Sequence, residues 1–309
     1  MPERMELLNQ GAIKLGITLT DQQLDQFEAY FHELFEWNKR ANLTAIIEYE
    51  AVQVKHFLDS LTIWLTARDA LSNAAVRPVR VMDVGSGAGL PGLALKIAFP
   101  DIKLALVESV AKKTAFIRHV VEAIKLEGIS VYTGRAEDLA RGKDLRDGFD
   151  LVVVRALAKL PLLLELGLPF CKTGANLVAL KHAGDGSEQD EAANALSELN
   201  GFIERISTVQ LDGLTDDRVV ISVKKMASTP ARYPRAVGVP RKRPLCPSVS
   251  NGKDCLLVGF PFALSQLSLT RLELSDVIGL IRTNMVLGDF TAGLLGIARV
   301  YIIYGSRLD

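Results

Sequence analysis

The stretch VRVMDVGSGAGLPG, residues 79–92, decides the fold of this chain. Its first half is a short apolar run typical of a buried strand, and its second half carries glycines at positions 85, 87, 89 and 92. Residues 93–99 follow as a helical segment that Pro100 ends. Glycines let a backbone approach a ligand closely, and the first turn of a helix offers free N–H groups. A strand, a glycine-rich turn and a helix in this order predict a nucleotide-type cofactor site.

Segments with strand character alternate with helical segments along the middle of the chain. The predicted strands are 79–84, 103–108, 130–133, 149–154, 175–180, 202–211 and 218–225. Such alternation is typical of a parallel sheet covered by helices on both faces. No clear helix separates the last two strands, so we expect them to pair antiparallel at one edge. The prediction is an α/β, Rossmann-like, doubly wound and mostly parallel seven-stranded sheet.

The region before the sheet, residues 1–75, is predicted to be an N-terminal helical extension. Thr20 and Gln23 have the spacing of a capping box, which marks a helix start. An apolar stripe at helical spacing follows, and we expect it to face the core: Leu24, Phe27, Phe31, Leu34 and Phe35. A second helix is predicted over 50–68.

Composition limits the classes of protein that the chain can represent. The formal net charge is zero, from 36 basic and 36 acidic side chains, so composition alone indicates no nucleic-acid partner. The cysteines at 171, 246 and 255 form no CxxC pair, and no His/Cys cluster has metal-ligand spacing. We expect no metal and a reducing, cytoplasmic location. The first residues are charged rather than apolar, and no run of about 18 uncharged apolar residues occurs, so we expect no signal peptide and no membrane span.

Two carboxylates near the glycine loop indicate which cofactor it binds. Glu108 ends the second strand, 19 residues after Gly89, where a carboxylate can accept hydrogen bonds from both ribose hydroxyls. NAD and S-adenosylmethionine (SAM) share that device. Asp83 favours SAM, because a carboxylate repels a pyrophosphate but tolerates an ammonium and a sulfonium. The predicted cofactor is SAM, and this part of its site comprises Asp83, Gly85, Gly87, Gly89 and Glu108.

Three further positions fall on the rim of such a sheet. Ala136 and Glu137 follow the third strand, at a position that often faces an adenine base. Arg155 ends the fourth strand, where cofactor and substrate meet, although an arginine there can also anchor a loop.

The sequence offers no nucleophile and no obvious general base. No Ser/His/Asp triad is apparent, and Cys171 stands in an apolar context typical of a core thiol. His56, His119 and His182 are single histidines that we expect to be structural. The lack of a base fits some methyl acceptors better than others. An amine or a hydroxyl must lose a proton, whereas guanine N7 carries a free lone pair and needs no base, so positioning can supply most of the rate. No catalytic residue is assigned, and Arg155 is the one candidate.

A basic stretch follows the last strand. Residues 224–253 contain no acidic residue, and four prolines precede Cys246, which predicts an extended arm. The expected organisation is therefore a helical region over 1–75, a core over 76–225, a basic arm over 226–245 and an extension over 246–309.

Several segments in combination resemble one family over roughly residues 1–245. They are Trp37-Asn38, Asn42-Leu43-Thr44, His56-Phe57-Leu58-Asp59-Ser60, the loop 83–92, Lys112-Lys113, Arg155-Ala156, Ala179-Leu180-Lys181 and the arm from Tyr233 to Pro244. The chain is similar in these segments to the bacterial 16S rRNA guanine-N7 methyltransferase family RsmG, also called glucose-inhibited division protein B (GidB). The resemblance implies a SAM-dependent methyltransferase that modifies N7 of a guanine in 16S rRNA.

The resemblance also implies roles for individual residues. Gly85, Leu90 and the loop between them would contact SAM, Ala136 and Glu137 would lie beside the adenosine, and Arg155 would lie at the cofactor–substrate rim. The residues expected near bound RNA are Asn38, His56, Lys181, Arg235, Arg241, Lys242 and Arg243. The partner would be 16S rRNA or a small-subunit assembly intermediate, and we expect a monomer.

Two alternatives remain open on the sequence alone. One is a SAM-dependent methyltransferase for a small molecule or protein, which would not need the arm. The other is a dinucleotide-binding oxidoreductase. Residues 246–309 fall outside the resemblance, and we expect a tail acquired by read-through or a frame change, with an added interaction module as the competing interpretation.

Overall fold

The structure is a computed structural model that describes residues 4–72, 77–155, 159–182, 187–214 and 217–246. These residues belong to the first of the two units into which the chain divides, Met1–Val249. The expectations for residues 247–309, which include Lys253 and Cys255, lie outside the described residues, as does Ala156. Within the described part of the chain, none of the helices combines the length and apolar character that a membrane span requires.

A seven-stranded sheet forms the centre of the fold. Its strands are β1 (Arg80–Val84), β2 (Lys103–Glu108), β3 (Ile129–Thr133), β4 (Phe149–Arg155), β5 (Cys171–His182), β6 (Gly201–Thr208) and β7 (Arg218–Lys225). The spatial order is β3-β2-β1-β4-β5-β7-β6. The five strands β1 to β5 pair in parallel, whereas β7 pairs antiparallel with both β5 and β6. The predicted doubly wound, mostly parallel sheet with an antiparallel edge is confirmed.

Helices cover both faces of this sheet. They are α1 (Glu6–Lys14), α2 (Asp21–Ala41), α3 (Tyr49–Val52), α4 (Asp59–Leu61), α5 (Trp64–Ser72), α6 (Gly92–Ala98), α7 (Ala111–Ala123), α8 (Ala136–Leu139), α9 (Leu160–Gly167), α10 (Ser187–Leu199) and α11 (Val239–Lys242). A π-helical segment, Gln53–Leu58, joins α3 to α4, and a 3₁₀ turn, Leu168–Phe170, follows α9.

The topology brings the predicted site residues to one edge of the sheet. From β1 the chain moves outward through β2 and β3 and then returns to β4 on the other side of β1. The crevice at this reversal, outside the carboxyl ends of the strands, is where ligands bind in folds of this class. Val84, Glu108 and Arg155, the last residues of β1, β2 and β4, all lie at that edge.

The long helix α2 runs from the amino edge of the sheet to the carboxyl edge. Both hydrogen bonds of the predicted capping box form between Thr20 and Gln23, so that prediction is confirmed. Near this start Gln23 donates to the Ile97 carbonyl at the end of α6 (2.7 Å). The predicted stripe is buried except for Phe35, whose ring is 37% exposed beneath the Lys39 ammonium. Tyr30 takes the interior position instead, because it shares the face of Phe27 and Leu34 at helical spacing.

The single helix predicted over 50–68 is wrong in detail. It is divided into α3, the π-helical segment, α4 and α5, and Ala67 leaves helical geometry within α5. Side chains take backbone acceptors here: the Ser60 hydroxyl donates to the His56 carbonyl (2.6 Å), and Arg155 donates to the same oxygen (3.1 Å). Competition for that carbonyl accounts for the local departure from α-helical bonding.

The stretch after β7 folds back onto the core, which corrects the expectation of an extended arm. Arg146 donates to the carbonyls of Thr229 (2.8 Å) and Tyr233 (2.9 Å), and these bonds hold the stretch against the sheet domain. Residues 239–242 form the short helix α11. The prolines exclude long regular elements, but the carbonyls that they leave unpaired are satisfied by arginines of the core.

Candidate cofactor and substrate site

The glycine loop is held in a left-handed backbone conformation that favours glycine. Gly85, Gly87 and Gly89 have φ values of 77°, 58° and 92°. A Cβ built on Gly85 meets nothing within 4 Å, and one built on Gly87 meets only the Gly85 carbonyl, at 4.0 Å. These two glycines therefore border open space that a ligand could fill.

Gly89 and Leu90 form the inner side of the same loop. A Cβ on Gly89 would lie 2.5 Å from the Leu93 side chain, so the absence of a side chain permits close packing of the loop on α6. Leu90 is buried and donates its N–H to the Ser86 carbonyl (2.9 Å). Both residues thereby fix the shape of the loop, and their predicted contact with SAM stays a prediction.

Asp83 lies fully buried at the base of the loop. Its Oδ2 accepts the Gly92 N–H at 2.9 Å, whereas its Oδ1 has no hydrogen-bond partner among the described residues. Burial, only partly offset by that N–H, raises the pKa of Asp83 to about 7. A buried carboxylate oxygen without a donor is suited to a cationic or hydrogen-bonding ligand group.

Glu108 stands opposite the loop at the end of β2. Its Oε2 accepts the Gly87 N–H (3.0 Å) and its Oε1 accepts the Val110 N–H (2.8 Å). Oε1 also accepts the Ser109 hydroxyl at 3.4 Å. The carboxylate is thereby held beside the open space, and Oε2 retains a lone pair for a further donor. These residues fit SAM: Glu108 can hold ribose hydroxyls, and Asp83 can face the positively charged end.

Tyr30 is a loop contact that the sequence analysis missed. Its ring is fully buried on α2, and its hydroxyl donates to the Ala88 carbonyl at 2.5 Å. Burial raises the pKa of Tyr30, so the hydroxyl stays protonated and remains a donor. A tyrosine in an otherwise apolar stripe was the available signal, because a buried hydroxyl needs a partner.

Arg155 joins the carboxyl edge of the sheet to the helical region. Its guanidinium donates to the His56 carbonyl (3.1 Å), the Ser60 hydroxyl (3.2 Å) and Nδ1 of His56 (2.7 Å), and it lies 3.4 Å from Asp59 Oδ2. The side chain is 20% exposed. Arg155 therefore anchors the π-helical segment and also borders the site.

His56 is buried and neutral. A guanidinium can only donate, so Nδ1 accepts from Arg155 and the ring proton lies on Nε2, which donates to the Thr44 hydroxyl (2.8 Å). The Lys55 carbonyl, 3.1 Å from Nδ1, is the weaker candidate because its bond would need the proton on Nδ1. Burial and the Arg155 cation lower the pKa of His56 to about 4.

Two residues expected near RNA have internal contacts instead. Asn38 accepts the N–H groups of Leu43 (2.6 Å) and Thr44 (3.0 Å) and donates to the Thr44 carbonyl, which closes the loop after α2. His56, only 6% exposed, is bonded at both ring nitrogens. Their polar atoms are bonded within the protein, and the expectation that both residues lie near bound RNA stays a prediction. Lys181 is half-buried near the end of β5, at the same edge of the sheet.

The expected adenosine-side residues are linked to the C-terminal stretch. Ala136 and Glu137 are buried at the start of α8, and Glu137 Oε1 accepts the Gly238 N–H at 3.0 Å. Gly238 has a φ of 79°, and it is followed at once by α11. Glu137 is thus joined directly to the basic stretch.

The four arm cations that were expected near RNA fall into two groups. Arg235 donates to both carboxylate oxygens of Glu165 (2.6 and 2.9 Å), which is fully buried, so its charge is neutralised inside the protein. Arg235 is therefore not retained among the RNA contacts. Arg241, Lys242 and Arg243 are exposed.

Other expectations about reactive groups concern the described residues only. Cys171 is fully buried, and burial raises the pKa of its thiol to about 12, as expected for a core thiol. His119 is bonded to Glu33 (2.6 Å). Among the described ranges, no group of three or more His, Cys, Asp or Glu side chains could hold a metal ion.

Comparison with known proteins identifies the family. The family model for GidB, rRNA small subunit methyltransferase G, matches residues 23–212. Ribosomal RNA small subunit methyltransferase G of Dehalococcoides mccartyi is 42% identical over 241 residues, which cover 78% of this chain and 100% of that protein. Its counterpart in Halalkalibacterium halodurans is 43% identical over 230 residues, 74% of this chain and 94% of that protein.

The solved structures that match this chain do so at lower similarity. The ribosomal protein L11 methylase of Lactobacillus delbrueckii subsp. bulgaricus has a TM-score of 0.40 at 16% identity, over 56% of this chain and 79% of that chain. The family match rests instead on the sequence relatives and the family model. The chain belongs to the rRNA small subunit methyltransferase G (GidB) family, and its cofactor is SAM.

Proposed function

We propose that this protein transfers the methyl group of SAM to N7 of a guanine in 16S rRNA. Support for an rRNA acceptor comes from the family, whose curated relatives carry the name ribosomal RNA small subunit methyltransferase G. Support for N7 comes from the site. Both ring nitrogens of His56 are bonded internally, so His56 is not available to deprotonate an acceptor, and Asp83 is assigned to the cofactor rather than to the acceptor. Guanine N7 needs no such base, because its lone pair is already free.

The residues of the chain would act by binding, orientation and exclusion of water. Glu108 would hold the ribose hydroxyls, Gly85 and Gly87 would admit the cofactor close to the backbone, and Asp83 would face its cationic end. Ala136 would border the adenosine beside Glu137. SAM supplies a methyl carbon on a positively charged sulfur. Arg155 would orient the guanine at the rim, so that proximity rather than proton transfer lowers the barrier.

The RNA would contact the exposed cations of the C-terminal stretch. Arg241, Lys242 and Arg243 are exposed on and beside α11, which is joined through Gly238 to Glu137. Lys181 near the end of β5 would add a contact at the same edge. Phosphate contacts of this kind release counterions, so affinity for RNA should fall steeply as salt rises.

The proposal also specifies where and in what form the protein acts. Cys171 and Cys246 are free thiols, which supports a reducing cytoplasm. We expect a monomer that acts on 16S rRNA or on a small-subunit assembly intermediate. Sedimentation of the purified protein with and without RNA would reveal a dimer if one forms.

The decisive experiment is methyl transfer from labelled SAM to RNA from a bacterial strain that lacks the corresponding gene. We expect label in 16S rRNA only, at one guanine, with cleavage chemistry specific for N7-methylguanine identifying the base. Naked 16S rRNA and small-subunit particles should be assayed side by side. Label in protein or in a small molecule would favour the alternative acceptors, and label at another atom of the base would exclude the N7 assignment.

A further inference from the structure

A buried carboxylate lies between two arginines behind the site. Asp59, 1% exposed, is 2.7 Å from Nη1 of Arg218 through Oδ1 and 3.4 Å from Nη1 of Arg155 through Oδ2. The two guanidiniums are themselves largely buried, with side chains 16% and 20% exposed. No sequence pattern indicates a role for Asp59 or for Arg218.

The three residues come from three separate parts of the fold. Arg155 ends β4, Asp59 begins α4 in the helical region, and Arg218 begins β7. Because β7 runs antiparallel to β5, its first residue lies at the same edge of the sheet as the end of β4, and Arg218 stands opposite His182 in the register. Asp59 therefore bridges the parallel part of the sheet and its antiparallel edge.

We propose that Arg218 is a positioning residue for methyl transfer and that it acts through Asp59 on Arg155. Arg155 and Arg218 share one carboxylate, so the place of either guanidinium constrains the other. With Arg218 present, Oδ1 of Asp59 is engaged and only Oδ2 faces Arg155. Arg155 can then keep its bonds to His56 and Ser60. The inference rests on the role proposed above for Arg155 at the rim.

Loss of Arg218 should let Arg155 move. Oδ1 of Asp59 would lose its donor at 2.7 Å, and Arg155 is a cation already within reach of the same buried carboxylate. A shift of the Arg155 guanidinium toward Asp59 would lengthen its 2.7 Å bond to Nδ1 of His56 and change what it presents at the rim. Misplacement of an orienting group by about 1 Å can slow an enzyme by about 100-fold.

Three variants test this chain of contacts. Arg218→Gln removes the cation, Arg218→Lys keeps a donor for Asp59, and Arg205→Gln is the matched control, since Arg205 is exposed on β6 beside β7. We expect Arg218→Gln to lower kcat on 16S rRNA by about 10- to 100-fold. The Kd for SAM should stay within about twofold, Arg218→Lys should recover most of the rate, and Arg205→Gln should match the wild type.

A double-mutant cycle identifies the route. If Arg218 acts through Asp59, then Asp59→Asn with Arg218→Gln should be no slower than Asp59→Asn alone. If Asp59→Asn does not fold, the rescue by Arg218→Lys replaces the cycle. Two results would overturn the inference. One is a loss of kcat in the double variant equal to the combined losses of the two single variants. The other is a wild-type kcat for Arg218→Gln when the separate Arg155→Lys variant is impaired.

A spectroscopic readout separates this inference from the proposed function. The Nδ1 resonance of His56 reports the bond from Arg155, and it can be measured without any RNA. We expect it to shift in Arg218→Gln and to stay in place in Arg205→Gln. If the wild type fails to label 16S rRNA, the proposed function fails; if instead the His56 resonance is unchanged in Arg218→Gln, the positioning role fails.

Discussion

Removal of a single hydroxyl tests how the helical region supports the cofactor loop. Tyr30→Phe keeps the ring among its aromatic neighbours, with Phe57 at 5.2 Å and Phe116 at 6.4 Å between ring centroids. It deletes only the hydroxyl that donates to the Ala88 carbonyl at 2.5 Å. The change therefore isolates one contact between α2 and the loop.

The magnitude follows from what the substitution leaves behind. Ala88 is 7% exposed, so its carbonyl loses its donor in a place that water hardly reaches. A buried group left without its partner costs about 1–3 kcal/mol. If the loop relaxes to recover a partner, SAM binding must rebuild the original conformation at that cost. A penalty of about 1.4 kcal/mol corresponds to a tenfold higher Kd for SAM.

Titration calorimetry with SAM measures this Kd, and Tyr49→Phe provides the matched control. The Tyr49 hydroxyl donates to Glu28 and accepts from the Met5 N–H, away from the loop. Both variants should lose stability, but only Tyr30→Phe should lose SAM affinity. Wild-type affinity in Tyr30→Phe, or an equal loss in Tyr49→Phe, would refute the claim that Tyr30 positions the loop.

Three further outcomes follow from the same site. Gly87→Asp should abolish SAM binding, because its side chain would enter the open space beside Glu108. The control is Gly174→Asp, since Gly174 also has a left-handed φ and a Cβ built on it meets no atom within 4 Å. Calorimetry should show normal SAM binding for this control. The raised pKa of Asp83, about 7, means that the folded protein holds a proton that the unfolded chain releases above about pH 4. Urea denaturation without cofactor measures the effect. Between pH 4 and pH 7 the unfolding free energy of the wild type should fall by at most about 4 kcal/mol more than that of Asp83→Asn. The same dependence of unfolding free energy on pH in both proteins would contradict this account. Replacing the cations of 241–243 by glutamine should lower the slope of log affinity against log salt by about 1 for each lost phosphate contact, with SAM binding unchanged; an unchanged slope in a filter-binding assay would place the RNA elsewhere.

Much of the fold was predictable because its signals are local. The apolar run before Gly85, the glycine spacing and the alternation with helices identify β1, its loop and the parallel sheet. The capping box at Thr20 was likewise predictable, since both partners lie within one turn. The break of the predicted helix over 50–68 was not predictable, because one competitor for the His56 carbonyl is Arg155, far away in the sequence.

The candidate site shows the same division. Asp83 and Glu108 are recognisable because each stands at a strand end defined by nearby residues. Charge alone did not distinguish the cations of the arm. Arg235 and Arg241 look alike in a basic run, yet Arg235 is neutralised by the buried Glu165, whereas Arg241 is exposed. A charge pattern in a sequence does not specify which cations find buried partners.

The sequence by itself determined the fold class and the position of the cofactor loop, and it favoured SAM over a dinucleotide. These depend on residue types at short spacings, where backbone geometry links pattern to structure directly. Only the tertiary structure decided how Tyr30 holds the loop and how Asp59 joins Arg155 to Arg218. Those contacts join residues far apart in the chain, and a buried polar group finds its partner only when packing has removed water from both.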